Sequence, residues 1–283
     1  METNSTPNNK ENNILIDVEQ VFASKNPALL KIIPKFLINY LKRIVHQDEI
    51  NKFLLEKGHL KGAEFGRSIL DDLFGAKYTT IGLDKLPSEG RFIFASNHPL
   101  GGLDGIALLV AVSEKYPELK FPVNDILLNL KPLDNIFVPV NKHGGHSKDA
   151  ARLIEDAYKS DAQVLMFPAG LVSRKQKGVI RDLEWKNNFV RKAIQHQRDI
   201  IPVHITGRNT NFFYRLANLR KLLGIKSNIE MLYLPDEMFK QFNENLTIRF
   251  GAPVSWKTIK ETGDLETWTR KIKDMSYELA KNH

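Results

Sequence analysis

Residues 28–44 set Leu30, Ile33, Leu37, Leu41 and Ile44 three and four positions apart, with lysines between them. That is the period of an amphipathic helix. Pro34 implies a short first turn or a kink before the main helix, and a second helical stretch follows at about 50–60. Beyond residue 75 the pattern changes. Short apolar runs at 78–83, 91–96, 120–123, 136–140, 163–167, 200–206 and 246–250 read as strands. Helical periodicity fills 105–112, 147–159, 185–196 and 211–222, and 264–280 closes the chain. Alternation of this kind predicts an α/β fold: a mixed, largely parallel sheet flanked by helices, behind an N-terminal helical preface. The expected organisation is a disordered, Asn-rich tail at 1–25, a helical segment at 26–75 and an α/β domain at 76–283. A basic amphipathic helix like the one at 28–44 either lies in a membrane interface or covers its own core. Core packing is the commoner use.

Composition narrows the classes. Hydrophobic residues make up 42% of 283 residues, enough for a sizeable core, and there is no cysteine. Disulfides, thiol catalysis and Cys-ligated metal sites are therefore excluded. The net charge of +8 suits an anionic partner, whether nucleic acid, acidic protein, phosphorylated substrate or membrane surface, without choosing among them. No apolar run approaches the roughly eighteen residues of a spanning helix. The opening residues lack a basic start followed by an apolar stretch, so the expectation is a cytoplasmic protein without a secretory signal.

The most pointed chemistry is Ala95-Ser96-Asn97-His98-Pro99-Leu100-Gly101-Gly102-Leu103-Asp104-Gly105, directly after a strand-like run. Imidazole is the side chain that exchanges a proton near neutrality. A carboxylate on its second nitrogen fixes the tautomer and supports the developing charge. Asp104 also reads as a cap for the following helix. A second cluster, Phe167-Pro168-Ala169-Gly170-Leu171-Val172-Ser173-Arg174, again follows a strand. Gly170 permits close backbone approach, Ser173 offers a hydroxyl, and Arg174 reads either as a grip for an anion or as a solvated turn residue. A third, Asn141-Lys142-His143-Gly144-Gly145-His146, is a basic Gly-rich loop suited to a phosphate or thioester head group, or an exposed turn. Its histidine pair has no convincing third ligand nearby, so no metal site is expected. His204 reads as a core residue.

In this order the clusters resemble the glycerolipid acyltransferase family of the lysophosphatidic acid (PlsC-like) type. The family shows Asn-His-x4-Asp, a Phe-Ile-x-Arg-like strand, Phe-Pro-Glu-Gly-Thr-Arg-Ser and a Val-Pro-Val-like strand. Here Asn97-His98 to Asp104, Ile136 to Val140, Phe167 to Arg174 and Ile201-Pro202-Val203 stand in their places, across roughly residues 75–210. Five residues rather than four separate His98 from Asp104. Ala169 replaces the family glutamate, and the second-block arginine is missing, with Lys142 the nearest cation. These departures argue against a glycerol-phosphate acceptor. The Pro-Leu-Gly-Gly-Leu-Asp-Gly version, with Asp182-Leu183-Glu184-Trp185-Lys186 downstream, looks like the bacterial subgroup associated with ornithine- or glycine-type aminolipids and hemolysin-type acyltransferases.

The resemblance implies O-acyl transfer from an acyl thioester, on acyl carrier protein or coenzyme A, to a hydroxyl of a lyso-lipid, either lysophosphatidate-like or a monoacylated aminolipid. His98 would be the general base and Asp104 its orienter. Asn97, Lys142, Pro168, Gly170, Ser173 and Arg174 would bind substrate, and the amides of Ala169 and Gly170, or of Gly101 and Gly102, would face the oxyanion. No cofactor beyond the donor is implied, and the protein would work peripherally on the inner face of the cell membrane. Two other classes compete. A serine lipid hydrolase would use Ser173, which is not on a Gly-x-Ser-x-Gly elbow. A basic nucleic-acid-binding protein would need a recognition signature that the sequence lacks.

Overall fold

The computed structural model describes residues 15–25, 33–140 and 147–281. Its strands are β1 (Lys77–Ile81), β2 (Phe92–Ser96), β3 (Leu119–Val123), β4 (Phe137–Pro139), β5 (Gln163–Met166), β6 (Arg174–Gln176), β7 (Val179–Arg181), β8 (Asp199–Ile205) and β9 (Asn245–Phe250). Seven of them form one sheet in the order β1-β9-β8-β2-β5-β3-β4. Every neighbouring pair is parallel except β8 and β9. These are the seven strands that the apolar runs predict. The remaining two, β6 and β7, pair as a separate antiparallel hairpin. They have no alternation to betray them, because their residues are short runs of mostly charged and polar side chains.

The helices are α1 (Val18–Lys25), α2 (Lys35–Ile44), α3 (Gln47–Lys57), α4 (Gly62–Ser68), α5 (Leu103–Ser113), α6 (Ser147–Lys159), α7 (Asn188–His196), α8 (Asn211–Leu222), α9 (Leu234–Phe239), α10 (Trp256–Thr262) and α11 (Leu265–Glu278). Strand β2 is buried at all five positions, as a parallel strand covered on both faces must be. Its side chains alternate between two cores. Phe92 and Phe94 enter the larger one with α5, while Ile93 and Ala95 enter a smaller one with Trp185, Phe189 and Ile272. Nine of the eleven residues of α5 are buried, so this helix is apolar on every side and lies inside the molecule.

The helical preface covers the same core. Phe53, Leu54, Phe65, Ile69, Leu70 and Phe74 join the α5 cluster, and Gly66 lets α4 close on α5, since a Cβ there would lie 3.0 Å from Val110. The expected tail at 1–25 holds an ordered segment, residues 15–25. Helix α1 lies within it, its Val18 amide donating to Gln47 Oε1 at 2.9 Å; residues 1–14 lie outside the described residues. Helix α2 buries Leu41 and Ile44 but leaves Phe36 and Leu37 exposed.

One buried charge staples the end of the sheet away from the site. Arg198 is fully buried, and its guanidinium donates to the carbonyls of Tyr158, Phe92, Ala162, Ala157 and Ser160. Burial, with Arg91 nearby, pulls its pKa down to about 10, so it stays charged at neutral pH. Arg198→Met strands those carbonyls and is expected to cost about 3 kcal/mol of unfolding free energy in urea titration; an unchanged midpoint would contradict this role.

Candidate active site

Strand β2 delivers the histidine to the C-terminal edge of the sheet, where open α/β folds gather reactive groups. Asn97 follows the strand and is almost fully buried. Its Nδ2 donates to the Ile205 carbonyl at 2.9 Å, and its Oδ1 accepts from the Ile205 amide at 2.7 Å. The carboxamide therefore clamps the ends of β2 and β8 together. Both polar ends of this expected substrate contact thus serve the backbone, and the residue also borders the cavity described below.

The chain then turns through Pro99 to Gly102. Gly101 sits at φ +87, where a Cβ would press into Val172 and Leu234, and a Cβ on Gly102 would strike Met238. The glycine pair thus takes up the extra residue between His98 and Asp104 beneath α9. Asp104, in the first turn of α5, is fully buried. Its Oδ2 accepts from the Leu100 amide and bonds His98 Nδ1, both at 2.9 Å, while Oδ1 accepts from the Gly105 amide at 2.9 Å. Burial alone would raise this carboxyl. The charge and bond of His98 and the amides of Leu100 and Gly101 outweigh burial and hold it below the ordinary carboxylate value. The helix begins earlier than expected, with Gly102 at its cap, so Asp104 orients the imidazole from inside the first turn and does not serve as the N-cap. The imidazole stacks on Phe167, centroids 3.8 Å apart and planes 13° from parallel. With Nδ1 engaged, Nε2 is the nitrogen available for proton transfer.

A second carboxylate holds the histidine's backbone. Asp182 Oδ1 accepts from the His98 amide at 3.2 Å and from Ser173 Oγ at 2.5 Å, and its Oδ2 accepts from Trp185 Nε1 at 2.8 Å. The Ser173 amide in turn donates to the His98 carbonyl at 2.7 Å. Asp182 stood in the sequence as part of a subgroup mark with no role attached. Nothing in a linear pattern says that it comes back to His98.

The structure redistributes several expected roles. Ser173 is buried with its hydroxyl on a carboxylate, an arrangement that holds a loop and does not activate a nucleophile. Arg174 is buried as well. It donates to the Val172 carbonyl and to Glu230 Oε1 at 2.8 Å, and Glu230 also lies 2.8 Å from Arg220 Nε. Arg174 is therefore an internal tie and not an open anion grip. The Gly170 amide donates to the Phe167 carbonyl at 2.9 Å inside a turn that needs φ +66, so it is not available to an oxyanion. Pro168 contributes its carbonyl to the Lys186 amide, and Ala169 packs its methyl into the smaller core. The exposed cation beside this turn is Lys186, whose Nζ lies 3.3 Å from where a Gly170 Cβ would project. Lys142, His143 and His146 lie outside the described residues.

On the β8 side of the loop a cavity of about 200 Å³ opens among Asn97, Pro99, Ser173, His204, Thr206, Arg208 and Tyr277. His204 is largely buried there; burial and Arg249 lower its pKa to about 4, leaving it neutral at pH 7.

Comparison with known proteins settles the class. An acyltransferase family profile matches residues 20–283. The chain belongs to this acyltransferase family. A lyso-glycine lipid O-acyltransferase of Bacteroides thetaiotaomicron is 49% identical over 94% of this chain and 97% of its own length. One from Phocaeicola vulgatus is 44% identical over 99% and 100%. Among solved structures, the 1-acyl-sn-glycerophosphate (LPA) acyltransferase PlsC of Thermotoga maritima is similar over 88% of this chain and 93% of its own, with a TM-score of 0.46 and 15% identity. The site described above is thus the candidate active site of an acyltransferase.

Two outcomes follow from this geometry. Because the folded Asp104 carboxyl lies below its ordinary value, its ionised form stabilises the fold above about pH 4 and that stability disappears as pH falls further. Asp104→Asn should flatten this acid limb in urea titrations and reduce kcat by about 10²–10⁴; wild-type pH dependence and turnover would contradict it. Arg174→Ala should lower stability by about 3 kcal/mol, because Glu230 is left buried with one partner. A raised donor KM with unchanged stability would restore the anion-binding role.

Proposed function

We propose that this acyltransferase moves a fatty acyl group from an acyl thioester to the hydroxyl of a lyso-lipid with a glycine-type head. The observation that carries the reaction is His98 held through Nδ1 by a buried Asp104. The acceptor class rests on the two curated relatives, both lyso-glycine lipid O-acyltransferases, matched over nearly their full length.

In the proposed cycle, His98 Nε2 takes the acceptor's hydroxyl proton as that oxygen attacks the thioester carbonyl. Asp104 supports the imidazolium. The tetrahedral oxyanion faces backbone amides; with Gly170 and Gly101 engaged elsewhere, those of Ala169 and Gly102 take this role. Collapse breaks the C–S bond, and the departing thiolate recovers the proton from His98. The products are an ester and a free thiol, with no covalent acyl-enzyme. Lys186, at the rim of the Phe167–Gly170 turn, is the proposed contact for an anionic part of the donor, in the place first given to Arg174. Acyl carrier protein and coenzyme A both fit a basic enzyme as donor carriers. The cavity beside Arg208 is the proposed seat of the acceptor's polar head, since no acidic side chain lines it. Among the described residues no helix is long and apolar enough to cross a membrane; peripheral work at the inner membrane face is part of this proposal.

The purified protein, given lyso-glycine lipid with either acyl carrier protein or coenzyme A thioester, should form the diacylated lipid by mass spectrometry. His98→Ala should lose about 10³-fold or more of that rate. No product with either donor would remove the acceptor assignment, and near wild-type turnover of His98→Ala would remove the mechanism.

A further inference from the structure

Helix α8 is apolar on two faces. Its inner face buries Phe213, Tyr214 and Ala217. Its outer face carries Phe212, Leu216, Leu219, Leu222 and Leu223 at helical spacing around Arg215, and Leu222 is 83% exposed and Leu223 63%. Ile225 in the following turn is exposed too. A shallow groove of about 390 Å³ runs between Phe212, Arg215, Leu216 and Leu219. Exposed leucines clustered like this mark an interaction site in a monomeric protein.

We propose that α8 and the turn after it form a docking surface for an anionic lipid bilayer. Charge identifies the occupant. From Thr206 to Ile229 the chain has no Asp or Glu; Arg220 is tied inward to Glu230, and four cations, Arg208, Arg215, Lys221 and Lys226, are exposed. An apolar stripe rimmed by Lys and Arg is the composition of a helix that lies in a lipid interface, and each cation near an anionic surface adds attraction. The face continues onto the helical preface. Phe212 packs edge-on against Tyr233 at 5.0 Å, and the Tyr233 hydroxyl bonds that of Tyr40, on the same helix as exposed Phe36 and Leu37.

The same insert, between β8 and β9, rests on the catalytic turn. Leu234 and Met238 fill the space above Gly101 and Gly102, and buried Glu230 joins Arg220 of α8 to Arg174 of the site loop. A bilayer on α8 therefore lies on the same insert that covers the Gly101–Gly102 turn between His98 and Asp104, so a lipid acceptor would reach the site from that surface. This inference rests on the reading that the acceptor is a lipid.

The test uses the full chain and sedimentation with vesicles of phosphatidylcholine, with and without phosphatidylglycerol. The wild type should bind the anionic vesicles, and less so in high salt. L222D/L223D, at exposed positions, should bind them at least about tenfold more weakly and acylate vesicle-embedded lyso-lipid correspondingly more slowly. It should retain wild-type turnover of a short-chain acceptor dispersed as monomers. Wild-type vesicle binding by L222D/L223D would overturn the proposal. So would a loss confined to an acidic carrier protein, or an equal loss of turnover on the monomeric acceptor. If the wild type binds vesicles but acylates neither acceptor, the acceptor reading fails and the docking surface stands.

Discussion

The site depends on one buried carboxylate. Asp104 sits at the N-terminal turn of a helix with almost no solvent contact, where an isolated charge would be expelled or neutralised. It is kept ionised by His98 Nδ1 and by backbone amides that point at it from the turn and the helix end, the placement in which a helix terminus favours negative charge. The burial that makes the charge costly also makes its hold on the imidazole firm, because the bond acts in a low-dielectric surrounding. Phe167 under the ring and Asp182 behind the backbone then leave His98 little freedom to leave that geometry.

Around this bond the fold is arranged in layers of constraint. Asn97 locks the ends of two neighbouring strands, so that the loop starts from a fixed point. Asp182 ties that loop to the Ser173 segment and to Trp185. Glu230 ties the same segment to α8 through two arginines, a buried triad whose worth lies more in fixing one arrangement than in raising stability. These three polar clamps join β2, β5, β8 and the insert before β9, which sequence separates by more than a hundred residues.

Much of the scaffold was legible. All seven sheet strands were read from the sequence: the central β2, β5 and β8 are buried almost throughout and read as apolar runs, whereas β3 and β9 alternate and the edge strand β1 is largely uncovered. The His98–Asp104 pair was legible too, since the chemistry needs those two groups and the glycine turn brings them together locally. The long-range roles were not. Arg174 reads as an anion grip until Glu230, 56 residues away, is found on its guanidinium. Asn97 looks like a site residue and serves the backbone. Asp182 carries no local signal for its contact with the His98 amide. The β6–β7 hairpin was hidden because its short strands lack alternation, and α1 because an Asn-rich stretch precedes it.

The central claim is that Asp104 fixes one tautomer of His98, with the proton on Nδ1 and Nε2 free to accept. Nitrogen-15 NMR of the imidazole in the wild-type protein near neutral pH addresses it directly. The neutral imidazole of His98 should carry its proton on Nδ1 and leave Nε2 bare, with that preference weakened in the Asp104→Asn variant. A His98 signal showing the proton on Nε2, or rapid exchange between both nitrogens in the wild type, would contradict it.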